Sequence, residues 1–152
     1  MRSPLKLRHL PPRLIAGAAI LDSGLTKRDL DEATARHLQE MAAVAYPFVR
    51  GLDAPTFGRL LSTGEIALGA ALLLPVVPTG LAAAGLAAFS AGLVGLYLRT
   101  PGMRRPGSLA PTQEGIPQSK DAWLLAIALG LLVDEATRGR RRNRRHRRHG
   151  EH

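Results

Sequence analysis

The chain has no cysteine. That excludes disulfides, thiolate metal sites and thiol redox chemistry. Aromatic residues make up only 4 % of the sequence, with one Trp, two Tyr and three Phe, so stacking platforms for bases or flat cofactors are scarce. Lysine is nearly absent too: 18 of the 21 basic residues are Arg, a skew that suggests a GC-rich, bacterial genome. None of the five histidines falls within an apolar run, which argues against a bis-His haem site inside a bilayer. The sequence shows no Gly-rich phosphate loop, no Ser/His/Asp arrangement and no metal-ligand spacing.

Against these absences stand long apolar runs. Mean hydropathy is close to zero, but the average conceals apolar blocks set in an Arg-rich remainder. The stretch Arg59–Arg99 holds two runs, about Leu60–Val77 and Gly80–Leu98, joined only by Pro75-Val-Val-Pro78-Thr79. The second run has no charged residue and at ~1.5 Å per residue spans roughly 28 Å, close to the hydrocarbon thickness of a bilayer. So short a link makes the two segments antiparallel neighbours. The shorter runs Leu14–Leu25 and Ala122–Val133 complete the expected fold: an all-α, four-helix transmembrane bundle. Leu14–Leu25 contains Asp22 and leads into Lys27-Arg28, so it does not read as a cleaved signal.

The remaining segments fall around this bundle. Residues 1–12 form a basic lead-in, residues 13–137 the membrane domain, and residues 138–152 an Arg-rich tail expected to be disordered. After the first helix, Leu30, Ala33, His37/Leu38, Met41 and Ala45 fall on one helical stripe, which predicts an amphipathic segment on the outer membrane surface. Gly80, Ala84, Ala88 and Gly92 recur every four residues and predict the packing face of the third span. Four spans place both termini on one side. That side carries twelve Lys/Arg, eight of them in the dense tail, against nine on the other. By the positive-inside rule the termini are cytoplasmic, in a bacterial plasma membrane.

Ionisable residues within spans are costly and are the default functional candidates. Asp22 and Glu65 lie at similar depth near the outer end, where Lys27, Arg59 or Lys120 can reach them. Asp22, Lys27 and Glu65 are therefore the candidate site, suited either to locking helices together or to proton transfer and hydrogen bonding to a quinone-like head group. No cofactor is evident, though a quinone is compatible. Arg138, Arg140, Arg141, Arg142, Arg144, Arg145, Arg147 and Arg148 are candidates for binding anionic lipid head groups. Without interleaved aromatics they argue against nucleic acid as the partner.

The segments RLIAGAAILDSGLTK, GLDAPTFGRLL and STGEIALGAALLL, followed by a small-residue span and a short fourth one, resemble the DoxX family of small four-helix membrane proteins. Arg13, Gly17, Gly24 and Lys27 match the family's first-helix pattern, and Glu65, Gly69 and Leu72–Leu74 match its second. The resemblance covers about Arg13–Glu135. Asp22, the long first loop and the Arg tail depart from it. It implies an accessory subunit beside respiratory or redox partners. Two alternatives stay open: a quinone-linked oxidoreductase component using Glu65 and Lys27, and a small transporter or lipid-binding protein using Asp22 and Glu65. Whether the chain is an enzyme is left undecided.

Overall fold

A computed structural model describes residues 6–149, with side chains placed over residues 6–137. The architecture is all-α: α1 (Leu10–Thr26), α2 (Glu32–Ala45), α3 (Ala54–Leu73), α4 (Thr79–Arg99), α5 (Ile116–Ser119) and α6 (Asp121–His149). Single 3-10 turns precede α1 and link α2 to α3. Among the described residues there is no strand, only an isolated antiparallel bridge between Arg104 and Pro111.

Local chemistry sets the ends of these elements. Pro11 and Pro12 sit in the first turn of α1, where a missing N–H costs nothing. Asp31 caps α2 by accepting from the Thr34 N–H at 2.8 Å, and Asp53 caps α3 by accepting from the Thr56 N–H at 2.9 Å. These backbone bonds, with the threonine hydroxyls behind them, hold both carboxyls below the usual carboxylate range. The helix α3 stops ahead of Pro75, and α4 starts directly after Pro78.

The two tight helix pairs are α1 with α3 and α4 with α6. The core between them is built from Ala16, Ile20, Leu72, Ala82, Leu86 and Ala128. Glycine permits the α1–α3 approach. A Cβ at Gly69 would lie 2.6 Å from the Leu21 backbone nitrogen, and one at Gly24 would lie 2.8 Å from that of Ile66. At the same crossing the Ser62 hydroxyl donates to the Gly24 carbonyl at 2.8 Å. This is small-residue packing, with backbones in direct contact and a hydrogen bond across the seam.

Two segments, Thr79–Arg99 and Ile116–Thr137, are long and apolar enough to cross a membrane. The other two long helices of the expected bundle do not reach that mark by length and composition: α1 has 17 residues, and α3 carries Arg59 and Glu65. The start of α1 and residues 134–135 of α6 lie at the same end of the bundle, bridged by ion pairs.

Three expectations are corrected. The stripe Gly80, Ala84, Ala88, Gly92 is not the packing face of α4. Ala84 and Ala88 are exposed, and the buried face is Ala82, Ala83, Leu86, Ser90 and Tyr97. Of the expected α2 stripe Ala45 is buried, but the rest of the inner face is Ala35, Gln39 and Ala43, while Ala33 and His37 point out. Gln39 is buried because its amide nitrogen donates to the Val49 and Leu52 carbonyls, closing the turn that follows. Finally, the backbone from Arg138 to His149 continues α6 as helix instead of forming a disordered segment. Arginine is a good helix former, the sequence has no proline after Pro117, and extending an existing helix needs no new nucleation. The side chains of Arg138, Arg140, Arg141, Arg142, Arg144, Arg145, Arg147 and Arg148 lie outside the described residues.

Candidate functional site

Among the described residues the buried charges form three groups, one at the end of the bundle where α1 finishes (the outer end of the expected topology) and two at the end where α1 starts (its inner end). At the outer end Glu65, on α3, is buried. Both of its oxygens accept from the Lys27 ammonium, at 2.9 and 3.2 Å. Lys27 is the residue after α1, three positions beyond the buried Gly24, so its side chain turns inward over α3. The same ammonium also donates to the Ser23 hydroxyl and, at 3.3 Å, to the Ser23 carbonyl. All three ammonium donors are thus used, and the lysine binds α1 to α3.

Asp22 takes no part in this group. The buried face of α1 runs Arg13, Ala16, Gly17, Ile20, Gly24. Asp22 is two residues from Ile20, about 200° around the helix, and faces out. Its equal depth with Glu65 did not bring the two together. Arg59 is exposed and donates to the Pro55 carbonyl. The third charge in the group is instead Asp121, at the first position of α6 and within electrostatic reach of both Glu65 and Lys27. The outer site is therefore the Lys27–Glu65–Ser23 group, with the Asp121 carboxylate near enough to feel both charges but not bonded to the ammonium.

At the inner end the largest fully buried side chain is Arg13. Its guanidinium sits in the turn between α3 and α4. Nε donates to the Leu72 carbonyl at 2.8 Å, and the two terminal nitrogens donate to the carbonyls of Ala71, Leu74 and Val77 and to the Thr79 hydroxyl, at 2.9 to 3.1 Å. All five donors are matched without a carboxylate. The compensation comes from the carbonyl end of α3, where unpaired C=O groups and the helix dipole favour a cation. The sequence placed Arg13 only in a family-like motif. The signal for burial was a lone cation between Pro12 and an apolar run.

The second inner group joins the N-terminal segment to α6. Asp134 accepts from Lys6 at 2.6 Å, from Arg8 at 2.7 and 2.9 Å, and pairs with His9 Nε2 at 2.8 Å. Lys6 also reaches Glu135 at 3.1 Å. His9 is buried, and its Nδ1 has no hydrogen-bond partner; it lies 3.9 Å from Glu135. The ligand atoms of His9, Asp134 and Glu135 fall within 4.8 Å of one another, but the Lys6 ammonium fills the position between the carboxylates. This group links the segment before α1 to the middle of α6, and neither His9 nor Asp134 stood out in the sequence as a contact.

In chemical terms the outer site can lock helices or accept a proton, and the inner sites neutralise charge at helix ends. No family model, no curated protein and no solved structure matches the chain.

Proposed function

We propose that this chain is a small integral membrane protein of the DoxX type, crossing a bacterial plasma membrane four times with both termini cytoplasmic. Its role on this reading is that of an accessory subunit, packed in the bilayer beside respiratory or redox partners. The observation that carries the reading is the distribution of surface. Large apolar side chains stand exposed on the outside of all four long helices: Ile15 on α1, Leu60 on α3, Leu81 on α4, and Trp123 and Val133 on α6. A water-soluble bundle of this size would turn such residues inward. The charges buried in the bundle, by contrast, sit near its two ends, where Lys27 and Arg13 each have their donors matched. Matched donors of this kind suit a scaffold better than a reaction centre.

Membrane fractionation with a carbonate wash, followed by extraction in mild detergent, tests the membrane reading. Release by carbonate alone would refute it. Reporter fusions at the C-terminus test the orientation, and identification of co-purifying subunits tests the accessory role.

A second reading is favoured by one feature, the Lys27–Glu65–Asp121 group. Two carboxylates against one ammonium leave room for a proton, as a proton-coupled or quinone-linked component requires. The arginines of the tail are assigned to anionic lipid head groups at the cytoplasmic surface.

A further inference from the structure

Among the described residues the bundle leaves the seam between α1 and α6 open. The helices α1 and α3, α3 and α4, and α4 and α6 pack against one another, but α1 and α6 make little backbone approach. At the inner end a cleft fills that seam. Arg8, His9 and Pro12 form one side, and Ile127, Gly130 and Leu131 form the other. Asp134 closes the polar end of the cleft. From residue 126 to residue 134 the α6 wall is about 12 Å long. It is apolar until the last turn, and Gly130 widens it: a Cβ there would meet nothing within 4 Å.

The polar end sets Lys6, Arg8 and His9 against the carboxylates of Asp134 and Glu135, and Arg8 is the cation on its rim. Asp134 is already held by Lys6, Arg8 and His9. Arg8 engages it through one terminal nitrogen, and more than half of the Arg8 side chain stays exposed on the cleft rim. Immediately beyond, the sequence supplies Arg138, Arg140, Arg141 and Arg142 without an acid among them. An apolar slot about two helical turns long, ending at an exposed guanidinium at head-group depth, is complementary to an amphiphile with an acyl chain and an anionic head.

We propose that the α1–α6 seam binds one anionic phospholipid, with an acyl chain against Ile127, Gly130 and Leu131 and its phosphate at Arg8. The proposal rests on the membrane reading above. The two fail differently: carbonate release would remove the membrane reading, whereas lipid retention can be absent from a protein that spans the bilayer.

The test uses the full-length protein, reconstituted in vesicles of equal phosphatidylglycerol and phosphatidylcholine, extracted in mild detergent and weighed intact by native mass spectrometry. The wild type should retain one phosphatidylglycerol per chain, with about a fivefold preference over phosphatidylcholine for each arginine at the head group. Gly130→Leu fills the slot from a position with open space around it. It should lower retention roughly tenfold with helicity and Tm unchanged, and Gly130→Ala should fall between. Ala84→Leu adds bulk to an exposed face elsewhere and should retain lipid like the wild type. Arg8→Gln should lower the preference for phosphatidylglycerol. Three results would overturn the proposal: undiminished retention in Gly130→Leu, equal retention of the two lipids by the wild type, or a second copy of the chain occupying the seam in place of lipid.

Discussion

Replacing Gly69 by Ala adds one methyl group at the close crossing of α1 and α3. The new Cβ would lie 2.6 Å from the backbone nitrogen of Leu21, 2.7 Å from its Cβ and 2.8 Å from its Cα. Ordinary contact begins near 3.4 Å, so α1 must retreat from α3 by about 0.8 Å, and no side-chain rotation can absorb that because the nearest atom is backbone. A retreat of that size loosens neighbouring contacts along the crossing, including the Ser62–Gly24 hydrogen bond, and stretches the Lys27–Glu65 pair. Overpacking of this kind costs about 1–3 kcal/mol, a drop in Tm on the order of 5 °C. Gly64→Ala is the internal control. It lies on the same helix, nothing is within 4 Å of its added Cβ, and alanine is the better helix former by up to ~1 kcal/mol. Thermal unfolding of both variants in one detergent, followed by circular dichroism, should show Gly69→Ala destabilised and Gly64→Ala equal to or above the wild type. Equal stability of Gly69→Ala and the wild type would falsify the close approach of α1 and α3.

Arg13→Lys keeps the charge but offers three donors where five are used. It should cost about 3 kcal/mol or more through carbonyls left unpaired at the end of α3, visible as faster amide exchange across Leu74–Gly80, and unchanged protection there would contradict the latch. Glu65→Leu leaves Lys27 without its carboxylate and should cost roughly 3–5 kcal/mol, whereas Glu65→Gln should assemble far better. If Glu65→Gln folds normally but abolishes the activity of a co-purified partner complex, the proton-handling reading gains over the scaffold. The caps Asp31 and Asp53 have lowered carboxyl pKa values, so the stability they give is complete above the pKa of the unfolded chain and is lost as pH falls through the lower, folded value. A pH titration of stability should therefore flatten on the acid side in Asp31→Asn/Asp53→Asn, and an unchanged acid limb would count against the caps.

The all-helical architecture and the α3–α4 hairpin were legible because Pro75 and Pro78 break two long apolar runs, the second of them free of charge. What failed was azimuth. Depth along a helix can be counted from sequence, so Asp22 and Glu65 were placed at one level, but the face each presents depends on which side of α1 meets α3. The register Gly17, Ile20, Gly24 fixes that side and turns Asp22 away. On α4, small residues occur all around the helix, so the four-residue stripe had no apolar contrast to mark it as inner or outer. On α2 Ala45 lies on the expected stripe, but the other buried positions are Ala35, Gln39 and Ala43, none of them conspicuous by hydrophobicity, and a buried glutamine reads as surface until its carbonyl partners are known. The Lys6–Arg8–His9–Asp134 group joins residues more than 120 positions apart, a separation beyond the reach of any local pattern.

The Arg13 socket carries a consequence for biogenesis. Its acceptors belong to the end of α3 and the start of α4, so α1 made first must wait, with its cation unmatched, until the hairpin is synthesised. In the proposed orientation that wait takes place on the cytoplasmic face, and the guanidinium never has to cross the bilayer. Closure of the socket then reports that the hairpin has arrived, which makes Arg13 the residue at which early and late stages of membrane insertion meet.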